Sequence, residues 1–413
     1  MKGLLRTLIL LLVRLCGAII AVGAAQKARR RRTIMPRILL IRPDHLGDLV
    51  LTTPVLQALK TQAPAAHITM MVGPWSSEVV ARHPALDHLI TCPFPGFQRT
   101  AQRPLAPYIL LLSTVQQLWR GNYDLAINLR PDFWWGAALL YLSGIPTRIG
   151  YAIQPATPFL THALPFNAPE HATVSNLRLT SAALQALGYE VLSEPYTAAR
   201  YPLQYEPTTA ECQWIEERLH SVGITADTPL IIIHPGTGAA VKLWRNAAWI
   251  HIANQLADQR QVRIVLTGSP SEQPMLQEIA QGVTPAPYLI GNTTVGQLAA
   301  LLRRAQFVLG VDNGPLHLAV AQGTPTVQIF GPTDPRIFGP WGLPERHIVI
   351  ASTEHCRACP AIPCGRLDFS VDELVAHPCV RLVAEERVLA AITTIQVDDE
   401  HMLQKGKDSL SKS

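Results

Sequence analysis

The sequence predicts an α/β protein made of two parallel-sheet units of similar size. Three observations carry that reading. Short unbroken apolar runs recur, among them Ile38-Leu39-Leu40-Ile41, Leu230-Ile231-Ile232-Ile233 and Phe307-Val308-Leu309, the pattern of strands buried on both faces. Amphipathic stretches of helical length alternate with them, and a βαβα alternation calls for parallel strands joined by crossover helices. The alternation lapses over residues 191–208, the expected linker, which carries Pro195, Pro202 and Pro207, and then restarts. A chain of 413 residues is long enough for two such cores.

The first unit, residues 36–190, is organised around Arg37 to Lys60. Its apolar run reads as a strand and Arg42-Pro43-Asp44-His45-Leu46-Gly47-Asp48 as a polar turn. Leu49, Thr53, Leu56 and Leu59 then fall at helical spacing, interrupted by Pro54. That is the opening strand–turn–helix of a nucleotide-binding α/β unit. Asp48 stands where the helix begins, so it serves either as a cap on backbone N–H groups or as a free carboxylate at the ligand edge. Further strands are predicted at 67–73, 87–90, 123–129 and 148–151, the third of these ending at Arg130, Asp132, Trp134 and Trp135. Residues 92–107 read as a loop or lid, and His171 to Gly188 as a helix ending in a glycine cap.

The second unit, residues 209–400, opens with an amphipathic helix. Strands are expected at 229–234, 263–268, 287–290 and 307–311, with a last one at 325–330. Thr294 with Gln297 three residues on marks a capped helix start. Three loops follow strands here, at the edge where open α/β sheets bind ligands. Gly236-Thr237-Gly238 with Lys242 offers backbone N–H groups, a hydroxyl and a cation, a set suited to a diphosphate. The spacing is not that of a P-loop, and no Gly-x-Gly-x-x-Gly follows the first strand. Asp312-Asn313-Gly314 feeds a helix carrying His317, and either caps that helix or receives an anion or ribose. Gly268 to Glu272 is the third loop, compatible with a nucleoside edge.

Composition is 48% apolar and 16% charged, and the formal net charge is +5. Much of that charge sits in Lys27 and Arg29 to Arg32, and no aromatic-interleaved basic stripe suggests nucleic acid as a partner. Residues 1–35 stand apart as a basic and apolar segment. Within residues 1–26, Arg14 interrupts the apolar run of a signal peptide or a spanning helix. Lys2, Arg6 and Arg14 share one third of a helix circumference, which favours an interfacial helix with the arginine run at anionic headgroups. A spanning helix would also leave the body cytosolic by the positive-inside rule. Residues 401–413 read as a disordered tail. The seven cysteines, Cys16, Cys92, Cys212, Cys356, Cys359, Cys364 and Cys379, are odd in number and bunched late, unlike a secreted disulfide framework. Cys356-x2-Cys359-x4-Cys364 with Cys379, His355 and His377 leaves reduced structural thiols and a structural metal site both open.

In this order, RPDHLGDLVLTTPVL, HPGTGAAVKLW, LTGSPSE and VDNGPLHLAVAQGTPTVQIFGPTDP resemble glycosyltransferase family 9, which contains the ADP-heptose:lipopolysaccharide heptosyltransferases. The similarity runs from about residue 36 to about 395. It implies a GT-B architecture, two Rossmann-like domains facing a cleft, with acceptor on the first and nucleotide-sugar donor on the second. It implies Asp48 as catalytic base, Thr237 and Lys242 as donor phosphate contacts, and Asp312, Asn313, Gly314 and His317 as the loop holding the donor's sugar and phosphates. The family more often has Thr where Asn313 stands. Its ribose-pairing acid aligns near Pro270, with Glu272 two positions later.

The expected activity is inverting transfer of a sugar, heptose from ADP-heptose by family, to a hydroxyl of a lipopolysaccharide or other envelope glycan. No cofactor is required, since Lys242 and helix termini can take up the charge of the leaving diphosphate, and no metal is assigned. Arg42, His45 and Arg130 are candidate contacts for an anionic acceptor. The expected partners are the donor, a glycolipid acceptor and the cytoplasmic face of the inner membrane. A nucleotide-sugar epimerase of the same fold and a non-catalytic nucleotide-sugar-binding protein are the alternatives.

Overall fold

The computed structural model describes residues 35–98, 105–260, 262–370 and 372–395, together with 14, 15, 17 and 18. The predicted interfacial helix and the predicted tail lie outside these residues, apart from those four positions. The chain forms two compact units that divide between Thr197 and Ala198.

The first unit is one six-stranded sheet built from β1 (Arg37–Arg42), β2 (His67–Val72), β3 (His88–Thr91), β4 (Leu125–Asn128), β5 (Thr147–Tyr151) and β6 (His162–Leu164). The order is β3-β2-β1-β4-β5-β6 and every pairing is parallel. The second unit contains β7 (Leu230–His234), β8 (Arg263–Gly268), β9 (Tyr288–Gly291), β10 (Phe307–Val311), β11 (Thr326–Phe330) and β12 (His347–Ala351). Its order, β12-β11-β10-β7-β8-β9, is the same arrangement repeated, again all parallel. This is the doubly wound nucleotide-binding order, and in each sheet the chain reverses direction of growth beside the first strand. The reversals lie between β1 and β4 and between β7 and β10.

The central strands are apolar because helices cover both faces. Ile38 to Ile41 and Leu230 to Ile233 are fully buried. Trp135 anchors one core, and Trp249 and Phe307 another. Two features depart from the sequence expectation. The helix after β1 is broken in two, Leu46–Val50 and Thr53–Gln62, because Pro54 near the start of the second cannot continue the first. Both sheets also extend one strand further than expected, through β6 and β12. Both are edge strands: β6 is three residues long and largely exposed, too short to show a period, whereas β12 carries an unbroken apolar run, Ile348 to Ala351, that the sequence reading passes over.

Candidate active site

At the first reversal point, the Leu46–Val50 helix starts directly after β1. His45 is its N-cap residue and provides no side-chain cap, so Asp48 lies inside the first turn. The capping alternative for Asp48 therefore fails. Its carboxylate instead accepts from Arg42 Nη2 at 3.2 Å. Arg42 is buried and held on several sides. Its Nε pairs with Asp44 Oδ2 at 2.7 Å, while Nη1 donates to Leu129 O at 3.0 Å and Asn176 Oδ1 at 3.3 Å. The sequence reading assigns Arg42 to an acceptor. With those donors engaged inside the protein, it acts instead as a brace between β1 and the end of β4.

Asp44 in turn is shared between Arg42 and Arg130, and Arg130 Nε also pairs with Asp132 Oδ1 at 2.7 Å. Trp75 Nε1 and Ser76 Oγ, beyond the end of β2, donate to Asp44 O at 3.0 and 2.9 Å and fix the loop from the other side. This environment sets the protonation of Asp48. Burial pushes its carboxyl up, the Asp44 charge pushes the same way, and Arg42 and Arg130 oppose them; the balance lies at about 6. The side chain is still 29% exposed. A carboxyl that ionises close to neutral pH and remains open to solvent suits proton abstraction.

Beside this cluster, the end of β4 opens into a cavity of about 380 Å³ lined by Phe97, Tyr108, Arg130, Asp132, Phe133 and Trp134, among others. The Arg130 guanidinium lies 5.0 Å from the Phe97 ring centre, a cation over an aromatic face. Trp75 stacks on Phe97 at 6.5 Å and tilts against His45 at 5.8 Å. Arg130 and exposed His45 thus stand at the cavity and its flank. Trp135, by contrast, is buried with its indole N–H donated to Pro107 O at 3.0 Å, so it supports the fold.

The second reversal point gathers most of the remaining candidates. Lys242 ends a 3-10 turn, Ala240–Lys242, and its Nζ lies 3.1 Å from Asp312 Oδ2 at the end of β10. Thr333 Oγ1 donates to the same oxygen at 2.5 Å. Thr237 Oγ1 faces Asp312 O at 3.4 Å. Asn313 is the N-cap of the Gly314–Ala321 helix, accepting from Leu316 N at 3.1 Å, and its Nδ2 donates to Gly236 O at 2.8 Å. One amide therefore locks the β7 loop to the β10 loop. His317 is buried in that helix and Gly238 is exposed on the β7 loop.

Glu272 joins the same edge. Its Oε2 accepts from Ser269 N at 2.7 Å and Ser269 Oγ at 2.8 Å in a capping box. Gly236 is what lets it approach, since a Cβ there would stand 2.1 Å from Glu272 Oε1, and Gly268 is also close to the same side chain. Sequence reasoning misses His234 and Thr333. His234 Nδ1 meets Thr267 Oγ1 at 2.8 Å, and burial drives the imidazole down to about 4 against the pull of Glu272, leaving it neutral. The HPG and GPTDP runs contain both residues, but a strand-terminal His and a loop Thr carry no periodic signal of their own.

The C-terminal cysteines also converge. Cys356, Cys359 and His377 place their ligand atoms within 4.8 Å of one another. Among the described residues, no helix is long and apolar enough to cross a membrane.

Comparison with known proteins agrees with this architecture. The sequence model of glycosyltransferase family 9 (heptosyltransferase) matches residues 111–366. A lipopolysaccharide heptosyltransferase 3 of Escherichia coli is 29% identical over 71% of this chain and 83% of its own length. Among solved structures, a family 9 glycosyl transferase from Veillonella parvula superposes with a TM-score of 0.70 at 23% identity, over 89% of this chain and 98% of that one. The E. coli heptosyltransferase WaaC with ADP gives 0.63 at 20% identity, over 87% and 100%.

Proposed function

Because the chain belongs to glycosyltransferase family 9, we propose that it transfers heptose from ADP-heptose to a hydroxyl of a lipopolysaccharide or related envelope glycan, with inversion at the anomeric carbon. The observation that carries the mechanism is the Asp48 carboxyl, raised to about 6 and still exposed at the β1–β4 reversal. It takes the proton of the acceptor hydroxyl as that oxygen attacks C1 of the donor sugar. The nucleoside diphosphate departs with the bonding electrons. Lys242 and the backbone N–H groups of the β7 loop bind it, with Asp312 and Thr333 holding Lys242 in place. Glu272 and Gly268 flank the nucleoside, and Arg130 with His45 meets anionic groups of the acceptor. The WaaC relative is a heptosyltransferase solved with ADP, and the E. coli relative is a lipopolysaccharide heptosyltransferase by name. Both support the choice of donor and acceptor class.

The test is a panel of nucleotide sugars screened by thermal unfolding, followed by a transfer assay with lipopolysaccharide core acceptors. ADP-heptose should give the largest stabilisation, and glycan product should form only with acceptor present. Conversion of the donor without acceptor would replace this reading with an epimerase, and binding without turnover would replace it with a nucleotide-sugar-binding protein. We place the enzyme at the cytoplasmic face of the inner membrane through residues 1–35. Full-length protein should then sediment with anionic vesicles, and protein lacking residues 1–33 should not; co-sedimentation of the truncated form rejects the placement.

A further inference from the structure

Residues 352–384 pose a structural problem. Among those described, they contain only one short 3-10 turn, Glu373–Ala376, between β12 and the Glu385–Thr394 helix. A run of that length without helix or strand is uncommon inside a compact domain unless something ties it down. Part of the tie is apolar. Cys356, Cys379, Val380 and Val383 belong to the core of the second unit. Cys359 and Cys364 lie in the same segment, and all four late cysteines are free. Cys359 Sγ is 3.2 Å from His377 Nδ1. Cys364 lies against Cys359, and Cys379 against Cys356. His377 itself is buried, its ring 3.8 Å from that of Phe369.

We infer that Cys356, Cys359 and His377, completed by Cys364 or Cys379, form a closed structural site for one borderline-soft divalent ion, zinc or ferrous iron. A tetrahedral site with metal–sulfur bonds of about 2.3 Å and metal–nitrogen bonds of about 2.0 Å has ligand-to-ligand edges of roughly 3.5–3.8 Å. The three ligand atoms already lie within 4.8 Å of one another, with Cys359 Sγ and His377 Nδ1 at 3.2 Å close to such an edge, so adjustments of about an ångström seat an ion. Thiolate and imidazole ligands select zinc or iron over magnesium or calcium. Four protein ligands leave no open position, so the ion has a structural role. Binding deprotonates the thiols and releases their protons to solvent.

The site reaches the turn after β11 through short links. Gly365 N donates to Pro332 O at 2.7 Å, and Ser352 Oγ donates to Cys379 O at 2.8 Å. A Cβ at Gly331 would meet Val380 at 2.3 Å and Cys379 Sγ at 3.2 Å, so the clipped segment packs directly on the Gly331–Thr333 turn. That turn carries Thr333, which holds Asp312. The metal clip therefore shapes the loop behind Lys242.

The experiment uses full-length protein without a histidine tag, purified under reducing conditions with no added metal. Elemental analysis should find about one zinc or iron per chain, and the two metals are read separately. Chelator-stripped protein refilled with cobalt should show thiolate-to-cobalt charge-transfer absorption. Cys359→Ser, at a half-buried position, should lower metal content about tenfold or more, while Cys212→Ser on the Thr209–His220 helix should keep it. If Cys359→Ser does not fold, the cobalt spectrum of the wild-type chain decides alone. Less than about 0.1 equivalent of metal together with an absent cobalt band, or a thiol titration showing a disulfide within the cluster, overturns the inference.

Discussion

Replacing Asp48 with Asn should move activity and stability in opposite directions. A base that ionises at about 6 is about ten-elevenths ionised at pH 7 and about one-eleventh ionised at pH 5. The kcat/KM of the wild-type enzyme should therefore fall about tenfold between those values. An ordinary aspartate, ionising near 3.8, would lose almost nothing over the same interval. The amide introduced by Asp48→Asn cannot accept the proton, so transfer should drop by roughly 10²- to 10⁴-fold. Stability follows the reverse course. Because the folded-state value lies above the unfolded one, folding favours the protonated carboxyl. That contribution is complete below about 3.8 and is lost as pH rises through about 6. At pH 7 the ionised side chain costs the native state up to about 2 kcal/mol, reduced from the full linkage value because 29% of it remains exposed. The amide removes this cost, so Asp48→Asn should unfold at higher urea than wild type at pH 7 and close to wild type at pH 4. The assays are initial rates of ADP release with acceptor from pH 5 to 8, and urea titrations at both pH values. A flat rate profile from pH 7 to 5, or more than half the wild-type rate in Asp48→Asn, would refute the assignment of the base.

Three further substitutions probe the second reversal point. Lys242→Ala removes a charge-assisted contact of about 1.5–3 kcal/mol, so ADP affinity by calorimetry should fall about 10- to 100-fold. Gly236→Ala puts a Cβ where the Glu272 carboxylate sits; ADP should bind more weakly, and if displacement of Glu272 is the cause, Glu272→Ala and the double variant should show the same loss rather than a sum. Asn313→Ala gives up an N-cap and a buried bond to Gly236 O, a cost of about 2 kcal/mol in urea unfolding. Asn313→Thr keeps the cap and should recover about half of it.

The parallel sheets are readable in the sequence because strands buried on both faces leave continuous apolar runs, as in Leu230 to Ile233. The capping box of Thr294 and Gln297 is equally legible, since both partners lie three residues apart. What stays hidden depends on contacts distant in sequence. Asp44 gives no local sign that it will be shared by Arg42 and by Arg130, 86 residues further on. Arg42 resembles an exposed cation until Leu129 and Asn176 are folded onto it. β6 escapes detection because its three residues sit at an exposed edge, where pairing with β5 rather than sequence pattern makes them a strand. The GPTDP run is recognisable, yet the role of Thr333 emerges only with its 2.5 Å bond to Asp312.

Trp244 follows closely on the turn that carries Lys242, and it is buried, edge-on to Trp249 at 4.8 Å, with its indole N–H donated to Val383 O at 3.0 Å. These last two partners are separated by 139 residues. During synthesis the ribosome delivers Trp244 long before Val383, so an emerging chain cannot close this bond until nearly all of the second unit has left the exit tunnel. Until then the indole either stays in water or is buried unpaired, at a cost of about 1–3 kcal/mol. The turn proposed to bind the diphosphate is thus braced by a contact that only the last part of the second unit completes, and a chain truncated before residue 383 loses that contact together with the core residues Val383, Val388 and Ile392.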